Sequence, residues 1–230
     1  MELLKLKGVG KSFKKTQILE DVDMIIEEGD ILGIIGQSGG GKTTLLNMIT
    51  GFIEPSEGEI LYYSKTYNEH RDLNDNLPKI KKFFGFTPQH NSFYPRLTVK
   101  ENLWHFGKLY EIDEVTLKNN IRNLLNFTHL IDHQNKLADQ LSGGMQKRLD
   151  ISCSLVHKPK ILILDEPTAD LDPILRQGVW ELVRKINKMG TTVILASHLF
   201  DEVESVCDRV AILHKGKIAK AAPVDQLKKL

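Results

Sequence analysis

The chain has 230 residues, enough for one large domain, or a domain with subdomains, around a sizeable core. Its charges nearly cancel to a formal +1, so composition gives no overall basic surface for nucleic acid or an anionic membrane. No apolar run approaches a membrane span, the lysine-scattered N-terminus has no apolar signal core, and Cys153 and Cys207 form no C-x-x-C pair, which together predict a reduced, intracellular chain.

Leu4, Leu6 and Val9 mark a first strand. A second, Ile18 to Ile26, leads into the turn at Glu27–Asp30, and the pair predicts a small antiparallel sheet. Phe13 falls on the loop between them, where an aromatic ring either packs or stacks on a flat ligand.

The next stretch organises the chain. Ile31 to Ile35 is an apolar, β-branched strand. Gly36-Gln37-Ser38-Gly39-Gly40-Gly41-Lys42-Thr43 then fits G-x-x-x-x-G-K-[ST]. Thr44 stands directly after it, and Leu45, Leu46 and Ile49 mark a helix. Strand, glycine loop and helix in that order form a phosphate cradle. Polyphosphate is wrapped by inward-pointing backbone N–H groups, which glycines permit and side chains obstruct. The helix N-terminus adds free N–H groups and a favourable dipole. Lys42 reaches the β- and γ-phosphates of a nucleotide and the Thr43 hydroxyl is placed to ligate Mg²⁺.

Gly51 to Gly58 is a turn cluster, Glu59 to Tyr63 a strand returning to the antiparallel sheet, and Ser64 to Lys82 a polar surface loop with at most a helical turn. Phe83 to Thr87 is a short strand ending at Pro88-Gln89-His90. A glutamine just past a strand end can reach a metal and water at that sheet edge, although Gln89 alone is unremarkable. From Thr98 to Lys158 the period is helical, with Thr98 and Glu101 as a capping box and a second helix through Val115, Ile121, Leu124 and Leu125. Within this block Leu141-Ser142-Gly143-Gly144-Met145 precedes another helix. It is either an ordinary N-cap or a second anion-binding turn.

Ile161 to Leu164 reads as the buried centre of a parallel sheet, ending in Asp165 and Glu166. Asp165 is placed to hold Mg²⁺ through water, and Glu166 to polarise a water against the γ-phosphate. The loop Pro167 to Pro173 carries Asp170, Leu171 and Asp172. A helix with Val179, Leu182, Val183 and Ile186 follows, then the strand Thr191 to Ala196 ending at Ser197-His198, a short helix Asp201 to Val206, and a hairpin Val210 to Ala219. The other histidines are dispersed without metal-ligand spacing. Leu230 closes on a basic helical stretch with no stop signal, which leaves a longer parent chain open.

Together these stretches resemble, over essentially the entire chain, the nucleotide-binding domain of ABC transporter ATPases. GQSGGGKT is similar to Walker A, Gln89 lies at the Q-loop, LSGGM resembles the signature, ILILDE the Walker B strand, DLD (Asp170, Leu171, Asp172) the D-loop, and His198 the switch histidine. The signature departs at Met145, where glutamine is usual, and the adenine-stacking position is Phe13, where tyrosine is common. The resemblance implies an α/β P-loop NTPase fold: a mostly parallel core sheet, an antiparallel β subdomain at 1–30 and 58–70, and an inserted helical subdomain at 91–157, all one domain over 1–230. It implies ATP and Mg²⁺ as ligands, with Phe13 and residues 36–44 on ATP, Thr43, Gln89 and Asp165 on the metal, and Glu166, His198 and Gln89 catalytic. It further implies a head-to-tail homodimer or heterodimer in which Leu141, Ser142, Gly143 and Gly144 act on the opposite chain's ATP.

Separate transmembrane permease subunits are implied as partners, docking near Asn91 to Tyr110 and placing the chain in the cytoplasm, peripheral on the inner face of the cell membrane. Phe93 to Leu103 is similar to exporter-type, ABC-2-like ATPases. Relatives acting on nucleic acid or ribosomes are the alternative, but they carry tandem domains with a charged linker or a long inserted coiled coil. Neither is present here, and no nucleic-acid partner is expected. A nucleotide-regulated module without net hydrolysis is disfavoured by Glu166 and His198.

Overall fold

The computed structural model describes residues 1–227; the end of the basic stretch that closes on Leu230 lies outside the described residues. Alternating apolar residues form β1 (Glu2–Phe13) and β2 (Thr16–Glu27), an antiparallel pair running from Glu2↔Glu27 to Phe13↔Thr16. Phe13 therefore ends β1 and does not sit on a free loop. The two strands carry their own pairing up to the turn, which leaves only Lys14 and Lys15 between them. The apolar run Ile31–Ile35 forms β3, followed by the glycine loop and α1 (Lys42–Ile49). β4 (Glu57–Ser64) returns to pair with β1.

The stretch from Ser64 to Lys82 is more ordered than a surface loop. β5 (Glu69–Asp72) extends the antiparallel sheet, with register Leu61↔Asp72 to Ser64↔Glu69. A 3₁₀ turn (Leu73–Asn76) and α2 (Leu77–Lys81) come next, with Leu73 and Ile80 in the core. β5 reads EHRD, so it has no apolar period. Backbone pairing on an edge defines it, and the two isolated apolar residues Leu73 and Ile80 anchor the turn and helix beyond it.

β6 (Phe84–Thr87) precedes three helices, α3 (Val99–Leu109), α4 (Glu114–Phe127) and α5 (Gly143–Leu155). At the head of α3 the Thr98–Glu101 capping box is present in both directions: Glu101 N donates to Thr98 Oγ1 at 3.2 Å and Thr98 N to Glu101 Oε2 at 2.8 Å. These helices bury Val99, Leu103, Leu117, Ile121, Leu125, Leu149 and Cys153 against one another in a cluster of their own. The chain then returns to β7 (Ile161–Asp165), α6 (Pro173–Lys188), β8 (Thr192–Ser197), α7 (Phe200–Val206), β9 (Arg209–His214), β10 (Lys217–Pro223) and α8 (Val224–Leu227).

The core sheet has the order β10-β9-β3-β8-β7-β6, parallel except for the edge hairpin β9–β10. β3, β7 and β8 are buried along their whole length, as near-continuous apolar runs in a parallel sheet covered on both faces must be. One face packs against α1 and the antiparallel sheet, the other against α6 and α7. This is a P-loop NTPase fold. Its registers Ile35↔Ser197, Asp165↔Ala196 and Thr87↔Leu164 bring the carboxyl ends of β3, β8, β7 and β6 to one edge. The glycine loop, His198, Glu166 and Gln89 each leave the sheet there, where open α/β sheets bind ligands.

Candidate functional site

At that edge lies a cleft of about 360 Å³ lined by Phe13, Ile18, Ser38, Gly39, Gly41, Lys42, Thr43, Thr44, Gln89, Glu166 and His198. The glycine loop forms its floor because the local backbone requires glycine. Gly41 has φ +98° at the head of α1, and a Cβ on Gly36 would come within 2.6 Å of the Leu213 carbonyl oxygen. Gly41 caps α1 without a side-chain bond, so the N–H groups of the first turn face the cleft with no acceptor from a capping side chain. Gly40 N donates to the Gln37 carbonyl at 3.0 Å, which closes the loop on itself.

Lys42 is buried, and its ammonium is fully engaged. It donates to the carbonyls of Gly36 at 2.8 Å and Gln37 at 3.2 Å and lies 3.2 Å from Glu166 Oε1. Across the cleft, Glu166 Oε2 accepts from His198 Nδ1 at 2.9 Å. A carboxylate only accepts, so Nδ1 carries the proton and Nε2 of a neutral imidazole is left bare. Glu166 sits at φ +47°, uncommon for a residue with a Cβ, and donates its own N–H to the Ala196 carbonyl at 3.0 Å. Strained backbone of this kind persists where the surroundings over-determine it, and here it turns the carboxylate from the end of β7 back over Lys42.

Behind the loop the Thr43 hydroxyl donates to Asp165 Oδ2 at 2.6 Å. The other oxygen, Asp165 Oδ1, is buried with no hydrogen-bond partner among the described residues. Burial raises the carboxyl above the usual carboxylate range, the Thr43 hydrogen bond opposes this, Glu166 adds to it, and Lys42 opposes it. A hydroxyl and a carboxylate with an unused lone pair are the hard oxygen donors that suit a small divalent cation.

Phe13 is 47 % exposed, so its ring is not held by core packing; Lys11 Nζ lies 5.2 Å from its centroid. Ile18 beside it also lines the cleft. The sequence marks it only as a strand residue, since nothing in an alternating pattern says which exposed position meets a ligand.

The cleft does not include Leu141, Ser142, Gly143 or Gly144. Ser142 and Gly143 are exposed at the head of α5, and the Ser142 hydroxyl caps no N–H of its own helix. They adjoin the Asp170–Asp172 loop: a Cβ on Gly143 would stand 3.6 Å from Leu171 Cδ2, and one on Gly144 2.9 Å from Leu175 Cδ2. That loop is held from behind. Arg176 Nε donates to the Leu171 carbonyl at 2.7 Å and Arg176 Nη1 to Glu202 Oε1 at 2.8 Å, while Asp172 caps α6 through Ile174 and Leu175 N–H groups at 3.0 Å. Asp170 is exposed at φ +64°, and Ile174, just past the loop, is 83 % exposed. One chain thus presents two separate polar faces, the cleft and this second surface.

Residues 19–169 match the family profile described as ABC transporter. The Nod factor export ATP-binding protein I of Bradyrhizobium diazoefficiens is 34% identical over 219 residues, 95% of this chain and 70% of that protein. The spermidine/putrescine import ATP-binding protein PotA of Fusobacterium nucleatum is 38% identical over 216 residues, 94% of this chain and 56% of that protein. Among solved structures, a dimeric ATP-binding cassette in a post-hydrolysis state, bound to ADP and Pi, superposes with a TM-score of 0.81 at 30% identity, covering 96% of this chain and 99% of that one.

Proposed function

The chain belongs to the ABC transporter ATP-binding family, and from that premise we propose how its own residues divide the work of an ABC-type ATP hydrolase. In this reading the glycine loop and Lys42 bind the phosphates, with Ser38 and Thr44 beside them and Phe13 against the adenine. Mg²⁺ would be held by Thr43, Gln89 and Asp165, Asp165 through water, and would offset phosphate charge. The unpartnered Asp165 Oδ1 and the hydrogen bond from Thr43 to Asp165 Oδ2 support that assignment. Glu166 takes the attacking water's proton, and His198, through its Nδ1–H, holds the carboxylate in place.

The observation that carries the reading is the separation of the two polar faces. The Ser142–Gly144 turn, exposed at Ser142 and Gly143, stands outside the cleft of its own chain, with a helix end that no side chain caps, and serves a nucleotide held by a second chain. Head-to-tail pairing of two such chains, identical or related, gives each nucleotide both faces. The Asp170–Asp172 loop and the exposed Ile174 lie on the same surface and belong to that contact.

No helix among the described residues is long and apolar enough to cross a membrane, and separate transmembrane subunits complete the transporter. Their docking surface lies around Asn91 to Tyr110, where Tyr94 is 47 % exposed and packs edge-on to His105 at 4.7 Å. That attachment makes the chain a peripheral protein on the cytoplasmic side of the membrane.

Ser142→Arg tests the shared site. ATP affinity of the isolated chain should be nearly unchanged, because Ser142 lines no part of its own cleft. Hydrolysis should fall by about a hundredfold or more, as when one preorganised donor is removed from a charge-stabilising site. A steady-state assay beside a nucleotide titration reads both. Hydrolysis at the parent rate would remove Ser142 from the site.

A further inference from the structure

We infer that Lys147 and Asp150 are positioning residues that bind the helix carrying Ser142–Gly144 rigidly to the loop carrying Gln89, so that the turn keeps a fixed place relative to that loop. The inference rests on the proposed function, in which the turn and the loop serve different nucleotides.

The two residues lie one turn beyond the signature on α5, three apart and therefore on one face. Lys147 is 5 % exposed and Asp150 fully buried. Asp150 Oδ1 accepts from Ser92 N at 2.9 Å and Ser92 Oγ at 2.6 Å. Lys147 Nζ stands 3.7 Å from Asp150 Oδ2 and donates to the Gln89 carbonyl at 3.4 Å. Further contacts join the same helix to the loop and to the strand before it. Asn91 Nδ2 donates to Gln146 Oε1 at 3.3 Å, and Ser154 Oγ to the Phe86 carbonyl in β6 at 2.8 Å. The approach of α5 to β6 is close enough that a Cβ on Gly85 would stand 2.2 Å from the Ser154 carbonyl oxygen.

Stability alone does not account for this pair. Two buried charges are seldom better than well-packed apolar residues of the same volume, because desolvation offsets their attraction. Burial does push the Asp150 carboxyl up, against the Ser92 hydrogen bonds and Lys147. What ions and hydrogen bonds supply that apolar packing does not is a fixed distance and direction between two backbones. Here they tie Gln89 and Ser92, on the loop after β6, to the helix one turn past the signature. A shift of Gln89 toward nucleotide in its own cleft must then carry Ser142 with it.

The test compares the parent chain with Lys147→Met and Lys147→Arg. Lys147→Met should keep ATP affinity and KM close to the parent values and lower kcat by about ten- to a hundredfold, the cost of a small misplacement remote from the reacting atoms. In a Glu166→Gln background it should lower the fraction of dimer formed at saturating ATP. Lys147→Arg, which keeps the charge, should restore most of kcat. Circular dichroism melts separate this from simple unfolding. If kcat per folded molecule equals the parent's, or if activity falls only in step with the folded fraction, the inference is overturned. Asp150→Asn guards against a lysine variant that does not fold. It keeps the oxygen facing Ser92, removes only the charge, and must show the same split of kcat from KM. A parent chain that neither hydrolyses ATP nor dimerises overturns the proposed function and this inference with it. A parent that does both while Lys147→Met matches it overturns the inference alone.

Discussion

Glu166→Gln should bind ATP and fail to turn it over. The substitution keeps the shape of a side chain held between Lys42 at 3.2 Å and His198 at 2.9 Å, and removes the carboxylate proposed to accept the water's proton. General-base contributions are about 10²–10⁴-fold, and hydrolysis should fall by that much. Binding survives because Lys42, Thr43, Asp165 and the glycine loop are untouched. Removing one negative charge beside the triphosphate also favours the ATP-bound, closed state. The variant should therefore accumulate as a dimer in ATP with Mg²⁺ and remain a monomer in ADP, read by size-exclusion chromatography with light scattering. Hydrolysis at the parent rate would take the role of base away from Glu166.

Lys42→Ala should act at the earlier step. It removes the one cation that the glycine loop and α1 bring to the cleft, and a charge-assisted hydrogen bond of this kind is worth about 1.5–3 kcal/mol. Its place in the structure adds two further effects. The carbonyls of Gly36 and Gln37 lose the donor they share, and the Glu166 carboxylate keeps His198 but loses its cation. Nucleotide titration should show affinity reduced by at least that amount, with hydrolysis lost in consequence. Unchanged affinity would contradict the assignment of the glycine loop.

The parts legible in the sequence are those where chemistry interrupts a strong pattern. Asp165 and Glu166 end an apolar strand, and Gly36 to Thr43 separates another from an amphipathic helix. His198 follows a third strand, so the parallel sheet alone brings these groups together. The Ser64–Lys82 stretch reads as loop because β5 has no apolar residue. Its order comes from pairing with β4, which a local pattern does not contain. Lys147 and Asp150 are illegible for a related reason. In sequence Met145-Gln146-Lys147-Arg148-Leu149-Asp150 resembles a solvated helix face, and only tertiary packing against the loop after β6 shows that this face is inside. The left-handed backbone of Glu166 and Asp170 likewise has no sequence signal, since neither position is glycine.

The claim that each ATP site is shared, with the cleft from one chain and the Ser142–Gly144 turn from the other, is tested most directly by mixing two inactive variants. Ser142→Arg lacks a working signature and Lys42→Ala a working glycine loop. In a dimer with one of each, one composite site carries both lesions and the other carries neither. ATP hydrolysis measured against mixing ratio should be near background at either end and rise to a maximum at equal proportions. A mixture that stays inactive at every ratio, under conditions in which the parent chain hydrolyses ATP, would contradict the shared site.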